Sequence, residues 1–391
     1  MPLRIVSNCV VVLLPALGFS ACEPHSPTPD SPVAVDTLPS GTVVVSNPST
    51  GRWDEGEAWR VEEVLRIGSL DGEGLETLGG ISAVEVDDDG NIVLFDPLAN
   101  ELRIFSPDGL PQRSIGGAGQ GPGEFQSVLG ISYAPDGELW IVDGRNLRYT
   151  VLSQERELEH FPRSSRTGSR PWVGGFDQQG RFFDQLTEVV DQALADFLIH
   201  VDADGQTVER FAIPRIDIAR PQVGPGMSMT LPFSPSVIRA WDPTGGVWQA
   251  LSAEYRITRV LLGGDTAMVL MREFEPTPLH PSQRDSLSAA IQSLESQFGV
   301  NVDSEMRPEV SPILRWLTPD DEGRLWVCAT GLDPCTELDV FDRSGYFLGR
   351  VQMPEALADV PLPLIRDGRI YAAIEGEFGE PQLWVGRIMA P

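Results

Sequence analysis

A short polar turn that ends in glycine, followed by an apolar strand, recurs six times along the chain. The six glycines are Gly90, Gly137, Gly180, Gly245, Gly323 and Gly368. The second residue after each glycine is apolar and the third is large and usually aromatic, as in Leu139 and Trp140. Adjacent apolar residues indicate that both faces of each strand are buried, because a half-exposed antiparallel strand would alternate apolar with polar residues.

The spacing of the turns predicts a β-propeller. Three of the five intervals between successive glycines match the length of a four-stranded propeller blade, about 40 to 50 residues. The intervals that begin at Gly180 and Gly245 are longer and are expected to hold insertions. Radially packed blades bury both faces of their strands against neighbouring blades. We therefore predict an all-β fold over residues 56–391, a six-bladed β-propeller of four-stranded antiparallel blades.

The sixth repeat lacks one strand. After Gly368 the chain provides two strands before Pro391. An unpaired strand edge favours aggregation, and closure of the ring removes it. The segment Trp59–Ile67 alternates in polarity and has no other partner, so we expect it to pair with the C-terminal strand and complete the blade.

One segment carries a more specific pattern. Residues 102–105 read LRIF, a turn SPDG follows, and residues 116–125 read GGAGQGPGEF. Over residues 100–152 this pattern resembles the NHL repeat of six-bladed propellers. The resemblance supports the fold and leaves the function open, since NHL-like propellers include protein-binding sensor domains, scaffold domains and a few lyases or lactonases.

The N-terminal residues have the features of an exported lipoprotein. Arg4 precedes a largely apolar run, residues 5–19, that is too short to span a bilayer, so residues 1–21 are predicted to be a signal peptide. The sequence FSAC at 19–22 resembles the lipobox of bacterial lipoproteins, which implies a lipid on Cys22. The alternative is an ordinary cleaved signal peptide with an incidental cysteine. A proline-rich tether is expected to follow within residues 22–55, and the protein is expected in the bacterial cell envelope, anchored to a membrane and facing the periplasm or the exterior.

The charge of the chain excludes one class of partner. The formal net charge is −28. A polyanion would be repelled by this charge, so nucleic acid is not expected as a partner.

Two of the four cysteines lie in the N-terminal segment and two in the fifth repeat. Cys9 is expected to leave with the signal peptide, and Cys22 is assigned to the lipid. Cys328 and Cys335 flank the turn between two strands of the fifth repeat. In an oxidising compartment such residues are expected to form a disulfide, provided that their Cα atoms lie within about 7 Å. Free thiols and a metal site are the alternatives, but two thiolates without a nearby histidine are too few for zinc.

The insertion at about residues 275–311 is predicted to contain a helix. Ser282 and Asp285 form a capping pair after Pro281, and Gly299 ends the pattern. Apolar residues recur between them at helical spacing: Leu287, Ile291, Leu294 and Phe298. This spacing is typical of an amphipathic helix lying on one rim of the ring. The functional alternative is a lid over the central channel.

The sequence offers few candidates for chemistry. The four histidines are scattered, so no catalytic residue and no metal ligand is assigned. Arg163, Arg166 and Arg170 lie close together in an otherwise acidic chain. They are candidate binding residues for an anion or a partner, and the alternative is a set of solvated loop arginines.

These observations favour a binding or scaffold module over an enzyme. The expected partner is an envelope protein or a small ligand, the protein is expected to be a monomer, and no cofactor is expected. The first alternative is a metal-dependent lactonase or lyase that holds a divalent metal such as calcium in the central channel. The second is a structural component of an envelope assembly, for which we would expect large exposed apolar patches on one rim.

Overall fold

A computed structural model describes residues 32–391 except 55, 71–73, 154–157, 167, 169 and 192. Three strands precede the first complete blade: β1 (Ala34–Thr37), β2 (Val43–Asn47) and β3 (Arg60–Ile67). Blade 1 consists of β4 (Ala83–Val86), β5 (Ile92–Asp96), β6 (Glu101–Phe105) and β7 (Pro111–Gly116). Blade 2 consists of β8 (Val128–Tyr133), β9 (Leu139–Asp143), β10 (Arg148–Leu152) and β11 (Leu158–Pro162). Blade 3 consists of β12 (Gly175–Phe176), β13 (Phe182–Val190), β14 (Ala193–Val201) and β15 (Thr207–Ile213).

The second half of the ring carries the insertions. A small hairpin, β16 (Gln222–Gly224) and β17 (Met227–Ser228), precedes blade 4. Blade 4 contains β18 (Val237–Asp242), β19 (Gly246–Leu251), β20 (Arg256–Leu261) and β21 (Thr266–Arg272). The helix α1 (Pro281–Phe298) and a 3-10 turn (Ser304–Met306) follow. Blade 5 contains β22 (Trp316–Pro319), β23 (Leu325–Cys328), β24 (Cys335–Phe341) and β25 (Phe347–Leu357), and blade 6 contains β26 (Leu364–Arg366), β27 (Arg369–Glu375) and β28 (Pro381–Met389).

The predicted six-bladed propeller is confirmed, and so is the physical basis of its turns. Gly90 has a φ of 82°, which favours glycine. Asp87 Oδ1 accepts the backbone N–H groups of Asp89 at 3.0 Å and Asn91 at 2.7 Å, so the aspartate closes the turn. Strand β5 after this turn is buried along its whole length, as the adjacent apolar residues indicated.

The predicted closure of the ring is also confirmed. Strand β3 pairs antiparallel with β28, from Ile67 opposite Leu383 to Arg60 opposite Met389. It is therefore the fourth and outermost strand of blade 6. The N-terminal and C-terminal parts of the domain are joined in one sheet, which removes an open edge.

The segment predicted as a tether, residues 22–55, contains two strands within residues 34–47. Strand β2 pairs parallel with β21, and β1 pairs antiparallel with β2, so the sheet of blade 4 has six strands. The β-branched residue Val45 is buried at this junction. Asn47 Nδ2 donates to the Gly345 carbonyl at 2.9 Å, and the Phe347 N–H donates to Asn47 Oδ1 at 2.8 Å. These bonds also attach the added strands to blade 5.

The helix is confirmed, but its predicted capping pair is wrong. The residue before the helix is His280, whose N–H donates to Gln283 Oε1 at 2.7 Å, whereas Ser282 and Asp285 lie inside the helix. Gly299 ends the helix in the left-handed conformation, as expected. In the part of the chain that the structure describes, no helix is long and apolar enough to cross a membrane.

The two insertions pack against each other. Leu287, Ile291 and Leu294 of α1 are buried in one cluster with Val223 and Leu231 from the insertion before blade 4. The helix thus covers the other insertion with its apolar face.

The predicted disulfide is confirmed between Cys328 and Cys335. Their Cα atoms lie 6.1 Å apart, and both side chains are fully buried. The bond closes the link between β23 and β24.

The antiparallel order of the strands gives the ring two different rims. Links from the fourth strand of one blade to the first strand of the next, and links between second and third strands, leave at one rim, which we call the linker rim. The turns between first and second strands lie at the opposite rim, which we call the turn rim. The turns between third and fourth strands contact the end of the preceding blade's outermost strand, as Gly109 does with Leu65 and Gly205 with Phe161.

Candidate functional site

The first strands of the six blades surround a cavity in the centre of the ring, with a volume of about 550 Å³. Each blade contributes lining residues, which include, in blade order, Glu85, Tyr133, Phe176, Trp241, Thr318 and Arg366. A concave site with apolar walls and a few convergent polar groups is the usual form of a small-molecule pocket. We therefore take this channel cavity as the candidate functional site.

Two indole rings form part of its wall and are held by hydrogen bonds. Trp172 Nε1 donates to Asp184 Oδ1 at 2.9 Å, and Trp241 Nε1 donates to the Phe176 carbonyl at 3.2 Å. A Cβ atom at Gly130 would lie 2.0 Å from the Trp172 ring, so glycine at this position allows the indole to pack against β8. The aromatic wall is thus fixed in place by its surroundings.

Glu85, on β4, is the acidic group of the cavity with the most unusual environment. One of its carboxylate oxygens accepts the Val86 N–H at 3.2 Å. Burial raises the pKa of Glu85 to about 7, although the Val86 hydrogen bond and the positive charge of Arg366 oppose the shift. At neutral pH this carboxyl group is poised between its neutral and charged forms.

Two other acidic residues that line the cavity are paired with arginines. Asp177 forms an ion pair with Arg181 at 2.7 Å, and Asp320 forms one with Arg324 at 2.6 Å. Glu85 has no such ion pair among the described residues. It is therefore better placed than Asp177 or Asp320 to bind a group from outside the chain.

Two hydroxyl groups add hydrogen-bonding capacity. Ser82 Oγ is buried and has no hydrogen-bond partner in the described part of the chain, and Ser82 lines the cavity. Burial raises the pKa of the Tyr133 hydroxyl, and the negative charges of Asp87 and Glu85 raise it further, so it stays protonated. Because buried polar atoms are normally paired, Ser82 Oγ marks a position where a ligand atom or water is expected.

The structure corrects the predicted role of Arg163. Its side chain is fully buried, with Nε 2.6 Å from Asp184 Oδ2 and Nη1 donating to the Ser165 carbonyl at 2.7 Å. Tyr149, on β10 of blade 2, donates to the same carboxylate of blade 3 at 3.0 Å. Arg163 therefore joins two blades and is not available to bind an anion or a partner.

The other two predicted binding arginines have different surroundings. Arg166 is exposed on the link between blades 2 and 3. Arg170 lines the channel cavity, and its Nη2 donates to the Val128 carbonyl at 2.9 Å. The structure thus assigns one arginine of the three to the candidate site.

The enzymatic alternative places a divalent metal in the channel. Within the described part of residues 32–391, no group of three or more His, Cys, Asp or Glu residues could hold a metal ion. His160 and His200 lie on β11 and β14, away from the first strands that line the channel. No residue of α1 lines the cavity either, so the alternative of a helical lid gains no support. The predicted lipid site, Cys22, lies outside the described residues.

The polar groups of the site were missed because the sequence shows no motif there. Glu85 lies on the short first strand β4, and Ser82 is the residue before that strand. Trp172 and Trp241 are far from both in the sequence. The one available signal was an acidic residue, Glu85, within an otherwise apolar strand before a turn.

Comparison with known proteins supports the fold. A family model described as a 6-bladed beta-propeller matches residues 74–156, which contain blade 1 and the first three strands of blade 2. Comparison with curated protein sequences gives no match. The resemblance to NHL repeats stays a prediction.

Several solved structures share the architecture. A Bacteroides fragilis protein named as a candidate exported protein has 12% sequence identity and a TM-score of 0.53, covering 88% of this chain and 99% of that chain. Virginiamycin B lyase from Staphylococcus aureus has 12% identity and a TM-score of 0.44, with 85% and 100% covered. A gluconolactonase from Xanthomonas campestris has 12% identity and a TM-score of 0.45, with 80% and 88% covered. At this identity the likeness concerns the fold and does not extend to an activity.

Proposed function

We propose that the protein is an exported, lipid-anchored β-propeller that binds a small organic ligand in its central channel. The observation that carries the proposal is the cavity of about 550 Å³ lined by the first strands of all six blades. This volume lies within the range of ligand pockets, about 300–1,000 Å³. A rigid ring around such a cavity can bind a ligand without a large loss of its own conformational freedom.

The wall of the cavity indicates the chemistry of the ligand. Trp172 and Trp241 offer apolar surface, whereas Glu85 and Ser82 offer hydrogen-bonding groups that the chain leaves unsatisfied or weakly satisfied. A ligand with an apolar or aromatic body and a cationic or hydrogen-bond-donating group would satisfy both. Such a ligand would stabilise the charged form of Glu85.

Binding is favoured over metal-dependent hydrolysis or elimination because of the donor groups. A divalent metal in the channel would need several carboxylate, amide or imidazole ligands that converge. In the described part of the chain, Asp177 and Asp320 are engaged with arginines instead. The channel is therefore proposed as a binding site without a resident metal.

Export and anchoring are supported by the N-terminal sequence. The apolar run before Cys22 and its FSAC sequence are typical of a lipoprotein signal. The name of the Bacteroides fragilis protein, which has the same architecture, agrees with export. Metabolic labelling with a fatty acid tests the anchor: we expect label on the wild-type protein and none on Cys22→Ser, and label on both would refute the assignment.

The ligand proposal is tested by recovery of bound compounds. The purified full chain is incubated with a small-molecule extract of the cell envelope, washed and denatured, and the released compounds are identified by mass spectrometry. Val84→Trp fills part of the cavity that Val84 lines, whereas Val64→Trp places the same side chain on the exposed outer strand β3. Wild type and Val64→Trp should release the same compound, and Val84→Trp should release much less.

Equal recovery from all three proteins would contradict a channel site. The thermal midpoints of both variants are measured first, so that loss of binding is distinguished from loss of folding. A Val84→Trp protein that retains a cooperative unfolding transition and no longer retains the compound supports the proposal.

A further inference from the structure

The two ends of the channel cavity carry opposite charges. Every first strand runs from the linker rim to the turn rim, so residues that precede these strands line one mouth and residues that end them line the other. Arg170, on the link before β12, lines the cavity at the linker rim. Glu85, near the end of β4, and Asp321, in the turn after β22, line it at the turn rim.

These three residues are the cavity charges that remain after ion pairing. Within the described part of the chain, the other acidic lining residues pair with arginines, as Asp88 does with Arg366 at 3.3 Å. Asp321 accepts the Asp367 N–H at 2.8 Å, and Arg170 donates to a backbone carbonyl. Neither has a partner of opposite charge among the described residues. The channel therefore has a negative end and a positive end.

The two ends are separated by the length of β8. Arg170 Nη2 donates to the carbonyl of Val128, the first residue of this strand, at 2.9 Å. Tyr133, the last residue, lies near Glu85: burial raises the pKa of its hydroxyl, and the negative charges of Asp87 and Glu85 raise it further. Five residue steps of about 3.3 Å place the opposite charges roughly 16 Å apart along the channel.

A polar atom without a partner lies between the two ends. Ser82 is 8% exposed and lines the cavity, and its Oγ has no hydrogen-bond partner in the described part of the chain. Ser82 precedes Glu85 by three residues, which is about 10 Å along an extended strand. Trp172 and Trp241 add apolar surface to the same wall. A ligand that matches this channel is charged at both ends and has polar and apolar groups in its middle.

We propose that the channel binds an elongated zwitterion, a short linear peptide with free termini, with its ammonium group at Glu85 and its carboxylate at Arg170. The proposal rests on the channel site of the proposed function and names the class of its ligand. An extended peptide spans at most about 3.3–3.6 Å per residue, so four or five residues cover the distance between the two charges.

The chemistry of each contact fits a peptide. The carboxylate of Glu85 accepts one backbone N–H, from Val86 at 3.2 Å, and can accept further donors from an ammonium group. An arginine forms strong, charge-assisted hydrogen bonds with a carboxylate. Between these ends, Ser82 Oγ can pair with a peptide group of the ligand, and the indole rings can pack against its side chains.

The test measures the retention of synthetic peptides. The purified full chain is incubated with mixed-sequence peptide pools, each of one length from two to seven residues, and retained peptides are identified by mass spectrometry after gel filtration. We expect the greatest retention at four or five residues. The best-retained peptide is then compared with its N-acetylated and C-amidated forms. Each modification removes one terminal charge and should weaken binding about ten-fold or more.

Side-chain variants assign each terminus to its contact. Glu85→Gln should bind the free and the N-acetylated peptide equally, and Arg170→Gln should bind the free and the C-amidated peptide equally. The matched controls are Glu62→Gln on the outer strand β3 and Arg166→Gln on the same link as Arg170, both exposed and away from the cavity. These controls should keep the discrimination of the wild type. Thermal midpoints verify that every variant is folded, and the modified peptides test the wild type directly.

Several results would overturn the proposal. Equal binding of the free, N-acetylated and C-amidated peptides would exclude both charged contacts. Loss of binding on N-acetylation alone, with Arg170→Gln unchanged, would assign the channel to simple cations. Retention of no pool, or of all lengths equally, would exclude a peptide of defined length. Failure of the channel site itself gives a different result, because Val84→Trp would then retain the peptides as well as the wild type does.

Discussion

Replacement of Arg163 by methionine is expected to destabilise the fold strongly, because Arg163 neutralises a buried charge between blades 2 and 3. The arginine and Asp184 both have fully buried side chains, and Nε lies 2.6 Å from Oδ2. Methionine fills much of the same volume but carries no charge. Asp184 would keep the hydrogen bonds from Tyr149 and Trp172 but would lose the cation.

The magnitude follows from the burial of the pair. Removal of one partner of a buried ion pair leaves an uncompensated charge and costs about 3–5 kcal/mol. In a domain of this size each kcal/mol lowers the thermal midpoint by roughly 2 °C, so a decrease of roughly 6–10 °C is expected. Removal of an exposed partner costs less than about 1 kcal/mol. Arg210→Met supplies that comparison, because Arg210 and Glu188 pair at 2.7 Å with side chains 50% and 35% exposed.

The assay is thermal unfolding followed by circular dichroism or calorimetry for both single variants and for Arg163→Met combined with Asp184→Leu. The double variant removes both charges, so it should lose less stability than the sum of its single changes. The reasoning is refuted if Arg163→Met lowers the midpoint no more than Arg210→Met does.

Three further predictions concern other parts of the molecule. Burial raises the pKa of Glu85 to about 7, so between the ordinary glutamate pKa and about 7 the folded protein binds more protons than the unfolded chain. The stability of the wild type should therefore fall across this window as pH rises, relative to that of Glu85→Gln. Thermal midpoints of both proteins at pH 5 and 8 measure the difference. Replacement of both Cys328 and Cys335 by serine should cost about 2–3 kcal/mol in denaturant titrations, because the disulfide closes a short loop, and an unchanged midpoint would contradict this. Ile67→Ala in the closing strand β3 should lower the free energy of unfolding by about 2–5 kcal/mol because Ile67 is buried. Val64→Ala, at an exposed position of the same strand, should be nearly neutral. Equal effects of the two substitutions would argue against closure of the ring by this strand.

The strands and turns could be predicted because their signals are local. An aspartate and a glycine are sufficient to specify the turn at Asp87–Gly90, and adjacent apolar residues show that β5 is buried on both faces. The closing role of β3 also followed from counting strands in the last repeat. In contrast, β1 and β2 follow a proline-rich segment, and β21, the strand that β2 joins, is more than 200 residues away in the sequence, so both strands were assigned to the tether.

The candidate site could not be predicted because it depends on tertiary contacts. Arg163 reads as a loop cation in the sequence, and the burial that makes it structural comes from Asp184 on the next blade. Glu85, Trp172 and Trp241 meet only when the first strands of different blades surround one axis. Their spacing in the sequence carries no period that indicates a common cavity.

The most direct test of the central claim is the thermal midpoint of wild type, Val64→Trp and Val84→Trp with the compound recovered from the wild-type protein. At about 100 times its dissociation constant the compound should add roughly 2.7 kcal/mol and raise the midpoint of wild type and Val64→Trp by a few degrees. The compound should not change the midpoint of Val84→Trp, because the tryptophan side chain occupies part of the channel cavity that Val84 lines. An equal rise in all three proteins would show that the compound binds elsewhere and would contradict the channel site.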